Sequence, residues 1–266
     1  MPASPPAILA LDFDGVLCDG MPEYFGAAWR AWRRLQPSVA PEPPNGLFDR
    51  FARVRPVVEG GWEMPLVIMA LLSGASETEI LERWRPDALL GTLGRARDEI
   101  AAVLDSVRDE WIAADEADWL DHHRFYPGAI PRLRRLRGGP TRVVIVTTKE
   151  GRFARQLLMR QGLDLGVENI YGKEAARPKP VILRELSEAD SAARGLWFVE
   201  DRLKTLDAVK RTSGLDDVGL FLAAWGYNTA RDREAERTSA IRVRCQNCGR
   251  LNPEFVKFCM SCNKPI

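Results

Sequence analysis

The apolar run Ile8–Leu11 stops at Asp12-Phe13-Asp14 and Gly15. A short apolar run closed by a glycine predicts a buried strand that ends in a tight turn. Side chains two apart on an extended chain share a side, so Asp12 and Asp14 project together from the strand's carboxyl end. Residues 20–125 follow a different rhythm. Phe25, Trp29, Trp32 and Leu35 recur every three or four positions, and Ile100, Val103, Leu104, Val107 and Trp111 make a second stripe of that period. Pro37–Gly46 breaks the pattern, and Ser76 with Glu79 forms a capping box ahead of Ile80, Leu81 and Trp84. No strand pattern interrupts this region, and its six tryptophans, of eight in the chain, read as helix-packing residues.

From residue 126 the periods alternate. Strands are predicted at Val143–Val146, Val167–Tyr171, Leu196–Val199 and Val218–Ala224, with helices from Pro127-Gly128 and at Arg152–Gln161, Val181–Glu188 and Lys204–Arg211. Alternation of this kind predicts an α/β fold with a parallel sheet covered on both faces. Ligands bind such sheets at the carboxyl ends of the strands, which gathers Asp12, Asp14, Thr147, Glu200 and Asp201 at one edge. Tyr227–Arg242 is polar, lacks a clear core period and reads as a linker with room for a helical turn. The expected organisation is therefore a core of residues 1–19 and 126–226, a helical insertion of residues 20–125, a linker of residues 227–243 and a small tail domain of residues 244–266.

Charge changes this picture little. Lys+Arg is 38 and Asp+Glu 37, a net charge of +1, so nothing points to a bulk electrostatic partner such as nucleic acid or a membrane surface. No apolar run approaches a membrane span, and the first residues lack the basic region and long apolar core of a secretory signal. The expected location is the cytoplasm. Four of the five cysteines form Cys245-x₂-Cys248-x₁₀-Cys259-x₂-Cys262, a spacing that gives four thiolates to one structural zinc ion. CQNCGRLNPEFVKFCMSCNKPI resembles a small zinc ribbon, which keeps open a protein or nucleic-acid partner for the tail. Cys18 is left over and reads as a buried side chain beside the site. His122 and His123 read as surface residues.

The two acids themselves call for a cation or a shared proton, since carboxylates held together repel. LDFDGVLCD, VVIVTTKE, ARPKP and LWFVEDRLKTLDAV, in that order, resemble the four motifs of the haloacid dehalogenase (HAD) superfamily of phosphohydrolases. The similarity covers roughly residues 7–226. The helical insertion resembles the cap of the branch that is like phosphoglycolate phosphatase, and FYPGAIPRLRRL the segment that re-enters the core there. This resemblance implies that Asp12 is a nucleophile, Asp14 a general acid/base, Thr147 a phosphate-binding hydroxyl and Lys179 a charge-stabilising cation. It implies a Mg²⁺ held by Asp12, the Asp14 carbonyl and Asp201, with Glu200 either a further ligand or an acid behind the ligands. Thr148 and Arg177 are the neighbouring rivals of Thr147 and Lys179.

The chain departs from a common form of the fourth motif, which has a second acid four residues after Asp201; Thr205 stands there. The implied activity is hydrolysis of a small phosphorylated metabolite, a phosphate monoester, with Asp12 carrying the phosphoryl group. Arg53, Arg55, Glu59 and Glu63 are candidates for reading the substrate, with plain helix charges as the alternative. A phosphomutase is the lesser alternative, since Glu23-Tyr24-Phe25 lies where the related mutases place a histidine. The rival of another class is a catalytically reduced scaffold whose ribbon binds protein or nucleic acid.

Overall fold

A computed structural model of the chain describes residues 5–189 and 195–238. It divides into two compact units, Met1–Asp19 with Arg124–Ile266, and Gly20–His123.

The first unit is built on five parallel strands, β1 (Ile8–Leu11), β4 (Arg142–Val146), β5 (Ile170–Tyr171), β6 (Leu196–Glu200) and β7 (Gly219–Leu222), in the order β5-β4-β1-β6-β7. A two-stranded antiparallel ribbon, β2 (Cys18–Asp19) and β3 (Arg124–Phe125), lies where the chain leaves this unit and returns to it. Every residue of β1 is buried, and so are Val143–Val146, because helices cover both faces of a parallel sheet and leave no strand face for water. Leu9 pairs with Val143 on one side and Trp197 on the other, so β1 is the central strand. One sheet face packs Ile8, Ala10, Val144 and Phe198 against Leu183 and Leu186 of the helix Lys179–Ala189. Chain order runs outward from β1 to β5 and then returns to β6 at β1's other side. The crevice between the ends of β1 and β6 is the switch point where such sheets bind ligands.

The second unit is helical, as expected. The helix Met21–Leu35 buries Phe25, Trp29 and Trp32, and the helix Arg97–Ala114 buries Ile100, Leu104, Val107 and Trp111. Ser76 and Glu79 make their reciprocal bonds, with Glu79 N–H donating to Ser76 Oγ (3.2 Å) and Ser76 N–H to Glu79 Oε2 (2.9 Å). Glu23 is only 1% exposed and receives Arg108 Nε at 2.6 Å and Trp119 Nε1 at 3.2 Å.

Several sequence expectations are corrected. Arg124 and Phe125 belong to β3 rather than to the helical insertion; a two-residue strand has no period to read. The stretch Val167–Tyr171 is a 3₁₀ turn, Val167–Asn169, followed by the short β5. The expected linker contains the helix Ala230–Thr238, started by a reciprocal pair: Asp232 N–H donates to Thr229 Oγ1 (3.1 Å) and Thr229 N–H to Asp232 Oδ2 (2.8 Å). Its polar sequence hid the helix, while the Thr-x-x-Asp start signal was there to be read. His123 is buried, its ring edge-on to Trp119 and its Nδ1 3.1 Å from the Trp119 carbonyl.

Removing Glu23 takes its carboxylate from the half-buried Arg108 guanidinium. Glu23→Ala should therefore destabilise the chain by about 3–5 kcal/mol in urea denaturation. An unchanged midpoint would show that this ion pair does not hold the helices together.

Candidate active site

Asp12 is the first residue past β1, and its N–H donates to the Val199 carbonyl (2.9 Å), extending the β1–β6 pairing. Phe13 turns inward, fully buried, with its ring edge-on to Phe125 at 5.8 Å. The turn closes with Gly15 N–H donating to the Cys18 carbonyl (2.8 Å), which leaves Cys18 buried beside it as expected. Glu200 is the last residue of β6 and Asp201 the next one, so both reach the end of β1 from the neighbouring strand. Lys179 begins the helix Lys179–Ala189. The Pro178 carbonyl accepts the N–H of Val181 (3.0 Å), and Pro180 sits in the first turn, where a missing N–H is harmless. The two prolines thus start a helix with the lysine at its first position.

These elements bring four of the expected residues into contact. Lys179 Nζ lies 2.9 Å from Asp12 Oδ2 and 2.7 Å from Glu200 Oε2. Asp12 Oδ1 accepts the Phe13 N–H at 2.7 Å. Glu200 is fully buried, and its Oε1 accepts the N–H groups of Asp201 (3.1 Å) and Arg202 (3.0 Å). Asp12, Glu200 and Asp201 each offer a carboxylate oxygen within 4.8 Å of the others.

Asp201 is held by residues of the expected linker. The N–H of Tyr227 donates to Asp201 Oδ2 (2.6 Å), and Asn228 Nδ2 donates to the Asp201 carbonyl (3.0 Å) and the Ala223 carbonyl (2.8 Å). Two glycines make this fit possible. Gly15 has φ 83°, and a Cβ there would stand 2.2 Å from Asp201 Oδ2; one on Gly226 would stand 2.4 Å from Asp201 Cβ. Thr205, the departure from the common motif, begins no acidic contact; it sits on the helix Leu203–Lys210 with its N–H bonded to the Arg202 carbonyl (3.0 Å).

Asp14 and Thr147 stand at the same sheet edge without joining that cluster. Asp14 is half-buried, and its Oδ2 is 3.2 Å from Lys149 Nζ, a cation that the sequence reading passed over. Thr147, just past β4, is buried; its Oγ1 accepts the Lys149 N–H (3.2 Å), which leaves the hydroxyl proton available to donate. Arg177 pairs with Glu185. In the helical unit, Arg53 is bonded to Glu77 (2.6 Å), and Glu63 is buried with Trp84 Nε1 (2.7 Å) and Gly60 N–H (2.9 Å) on its carboxylate. Glu63 is thereby a structural acid. Cys245, Cys248, Cys259 and Cys262 lie outside the described residues, and with them the expected zinc ribbon and its partner.

The electrostatics ask for a cation. Burial, followed by the charge of Glu200, pushes the Asp12 carboxyl up to about 7 despite Lys179 beside it. Burial also raises Glu200 and Asp201, the latter with a further rise from Asp12. Burial alone would lower the Lys179 ammonium, but Asp12 and Glu200 outweigh it and hold the group well above its ordinary value. With all three carboxylates ionised, the one ammonium would leave two negative charges for a cation to balance. All-oxygen donors with that charge suit a hard divalent ion such as Mg²⁺.

The chain is similar to known proteins along most of its length. It is 27% identical over 247 residues to the phosphoglycolate phosphatase of Pseudomonas putida, covering 90% of this chain and 77% of that protein. Among solved structures, a haloacid dehalogenase-like hydrolase of Streptococcus pneumoniae aligns with TM-score 0.54 at 15% identity, covering 88% of this chain and 91% of the other. A predicted phosphoglycolate phosphatase of Haemophilus somnus aligns with TM-score 0.55 at 14% identity over 84% and 87% of the two chains. The protein tyrosine kinase PtkA of Mycobacterium tuberculosis aligns with TM-score 0.52 at 19% identity over 86% and 88%. No family model matches the chain. The fold is that of the haloacid dehalogenase-like hydrolases, and the kinase shows that this fold by itself does not fix the activity. Among the described residues, no helix is long and apolar enough to cross a membrane.

The buried acids make a stability prediction. Asp12 keeps its proton to about 7 in the folded chain against 3.8 unfolded, so its contribution is present at low pH and metal-free stability should fall as pH rises through that window. Mg²⁺ should raise the melting temperature of the wild-type chain at pH 8, measured by calorimetry. Asp201→Asn, which removes one of the three like charges, should melt higher than wild type without metal and respond little to Mg²⁺. A wild-type melting temperature indifferent to Mg²⁺ would rule out the fit.

Proposed function

We propose that this chain is a Mg²⁺-dependent phosphatase that hydrolyses a small phosphate monoester by way of an aspartyl-phosphate on Asp12. One observation carries the reading: a buried carboxylate at the end of the central strand, gripped by a lysine and flanked by two further buried acids. The likeness to a phosphoglycolate phosphatase supports the substrate class. Magnesium, held by Asp12, Asp201 and the Asp14 carbonyl, would screen the charges of nucleophile and phosphoryl group and so permit one anion to attack another.

Everything else falls to the chain's own groups. Lys179 favours the ionised form of Asp12 for attack and offsets charge that grows on the phosphoryl oxygens. Glu200 already spends one oxygen on Lys179 and the other on two backbone N–H groups, which supports a role in aiming Lys179 rather than binding the metal directly. Thr147 donates its hydroxyl proton to a phosphoryl oxygen. Asp14 gives a proton to the leaving oxygen as Asp12 bonds to phosphorus, then takes one from the water that releases phosphate. The helical unit Gly20–His123 selects the substrate. Glu23-Tyr24-Phe25 occupies the neighbourhood where the mutases have a histidine, and Glu23 is engaged with Arg108 and Trp119, which favours hydrolysis over phosphoryl return. The spacing of Cys245, Cys248, Cys259 and Cys262 supports a structural zinc ribbon in residues 244–266.

Hydrolysis of 4-nitrophenyl phosphate and 2-phosphoglycolate should require Mg²⁺, and Asp12→Asn should lower kcat by roughly 10³-fold or more. Metal-independent turnover would defeat the mechanism. Metal analysis of the full chain, purified under reducing conditions, should find one zinc that is lost when Cys245 and Cys259 become serine; a zinc-free wild-type chain would defeat the ribbon.

A further inference from the structure

Asp12 and Asp14 each have their own lysine. Lys179 serves the first; Lys149 stands at the second, with its side chain 9% exposed and its Nζ 3.2 Å from Asp14 Oδ2. The backbone of Lys149 is fixed on both sides. Its N–H donates to Thr147 Oγ1 (3.2 Å), and its carbonyl accepts the N–H of Lys173 (2.9 Å). The other oxygen of Asp14, Oδ1, is buried and has no hydrogen-bond partner among the described residues. A buried acceptor left without a donor is unfavourable, so Oδ1 is the oxygen with a hydrogen bond still to make.

We propose that Lys149 is a positioning residue for Asp14: its ammonium occupies Oδ2, which leaves Oδ1 as the oxygen that exchanges the proton with the reacting groups. The inference rests on the phosphatase reading and adds to it which atom of Asp14 acts and what makes it act. The chemistry is simple. An ammonium has three donors and no acceptor, so a carboxylic acid beside it favours the carbonyl form of the oxygen that faces it and the proton on the other. Lys149 thereby favours Oδ1 as the oxygen that carries the proton of neutral Asp14. In the first step the Asp12–phosphorus bond forms and the ester P–O bond breaks, while the Oδ1 proton passes to the leaving oxygen. In the second, a water oxygen bonds to phosphorus and the Asp12–phosphorus bond breaks, while a water proton returns to Oδ1. Without Lys149 the carboxyl has two equivalent oxygens and free rotation about its last bond, and much of that freedom is unproductive.

A residue that acts through proton delivery should matter most when the leaving group needs the proton. The test compares wild type, Lys149→Met, Lys149→Gln and Lys149→Arg on 4-nitrophenyl phosphate, whose leaving oxygen is weakly basic, and phenyl phosphate, whose leaving oxygen is strongly basic, with Mg²⁺ present. Lys149→Met and Lys149→Gln should lose about 10-fold or more in kcat on the phenyl ester and only about 2-fold on the nitrophenyl ester. KM should change little, and Lys149→Arg, which also only donates, should recover most of the loss. Turnover of the nitrophenyl ester certifies that each variant is folded. Equal losses on the two esters, or no loss on either, would overturn the role of Lys149 while leaving the phosphatase reading intact. Absence of wild-type turnover on both esters would overturn that reading, and this inference with it.

Discussion

Burying Asp12, Glu200 and Asp201 at the end of a parallel sheet is unfavourable in itself, because each carboxylate leaves water and faces the others. The surrounding structure is arranged around that cost. Lys179 bridges Asp12 and Glu200, and backbone N–H groups of Phe13, Asp201, Arg202 and Tyr227 reach the carboxylate oxygens. Two glycines let the strand-end loops close on Asp201 without a side chain in the way. Residual negative charge is what remains after these contacts, and a divalent cation is the natural complement to it.

The same edge separates the two acids of the first motif. Asp12 is drawn toward β6 by Lys179, whereas Asp14 lies toward the β4 turn with Lys149. Two side chains that start on one side of a strand thereby acquire different neighbours. In the proposed reaction that difference is the difference between a nucleophile and a proton carrier, since a nucleophile must stay ionised and a proton carrier must change its state.

Much of this site was legible before folding. A strand's apolar run, the acids after it and the later hydroxyl, lysine and acid pair are local patterns, and the rule that α/β sheets gather ligands at their strand ends places them together. Lys149, Tyr227 and Asn228 were not legible in that way. Lys149 sat in the quoted motif but had no partner until Asp14 approached from another strand. Tyr227 and Asn228 act largely through backbone and amide groups, whose bonds are set by loop closure rather than by residue type. His123 and Glu63 misled in the opposite direction: polar side chains read as surface residues or substrate readers are buried where tryptophans supply their partners.

Asp12-Phe13-Asp14 shows the division of labour between chain and fold. Sequence alone determined the strand, the turn at Gly15 and the pairing of two carboxylates on one side, because extended geometry and glycine's conformational freedom are local properties. Only the tertiary structure decided which lysine meets which carboxylate, which carboxylates share a buried pocket with Asp12, and which oxygen of Asp14 stays open. Those depend on strands far apart in sequence arriving side by side, and the energy of a buried charge is set by whatever stands within a few ångströms of it.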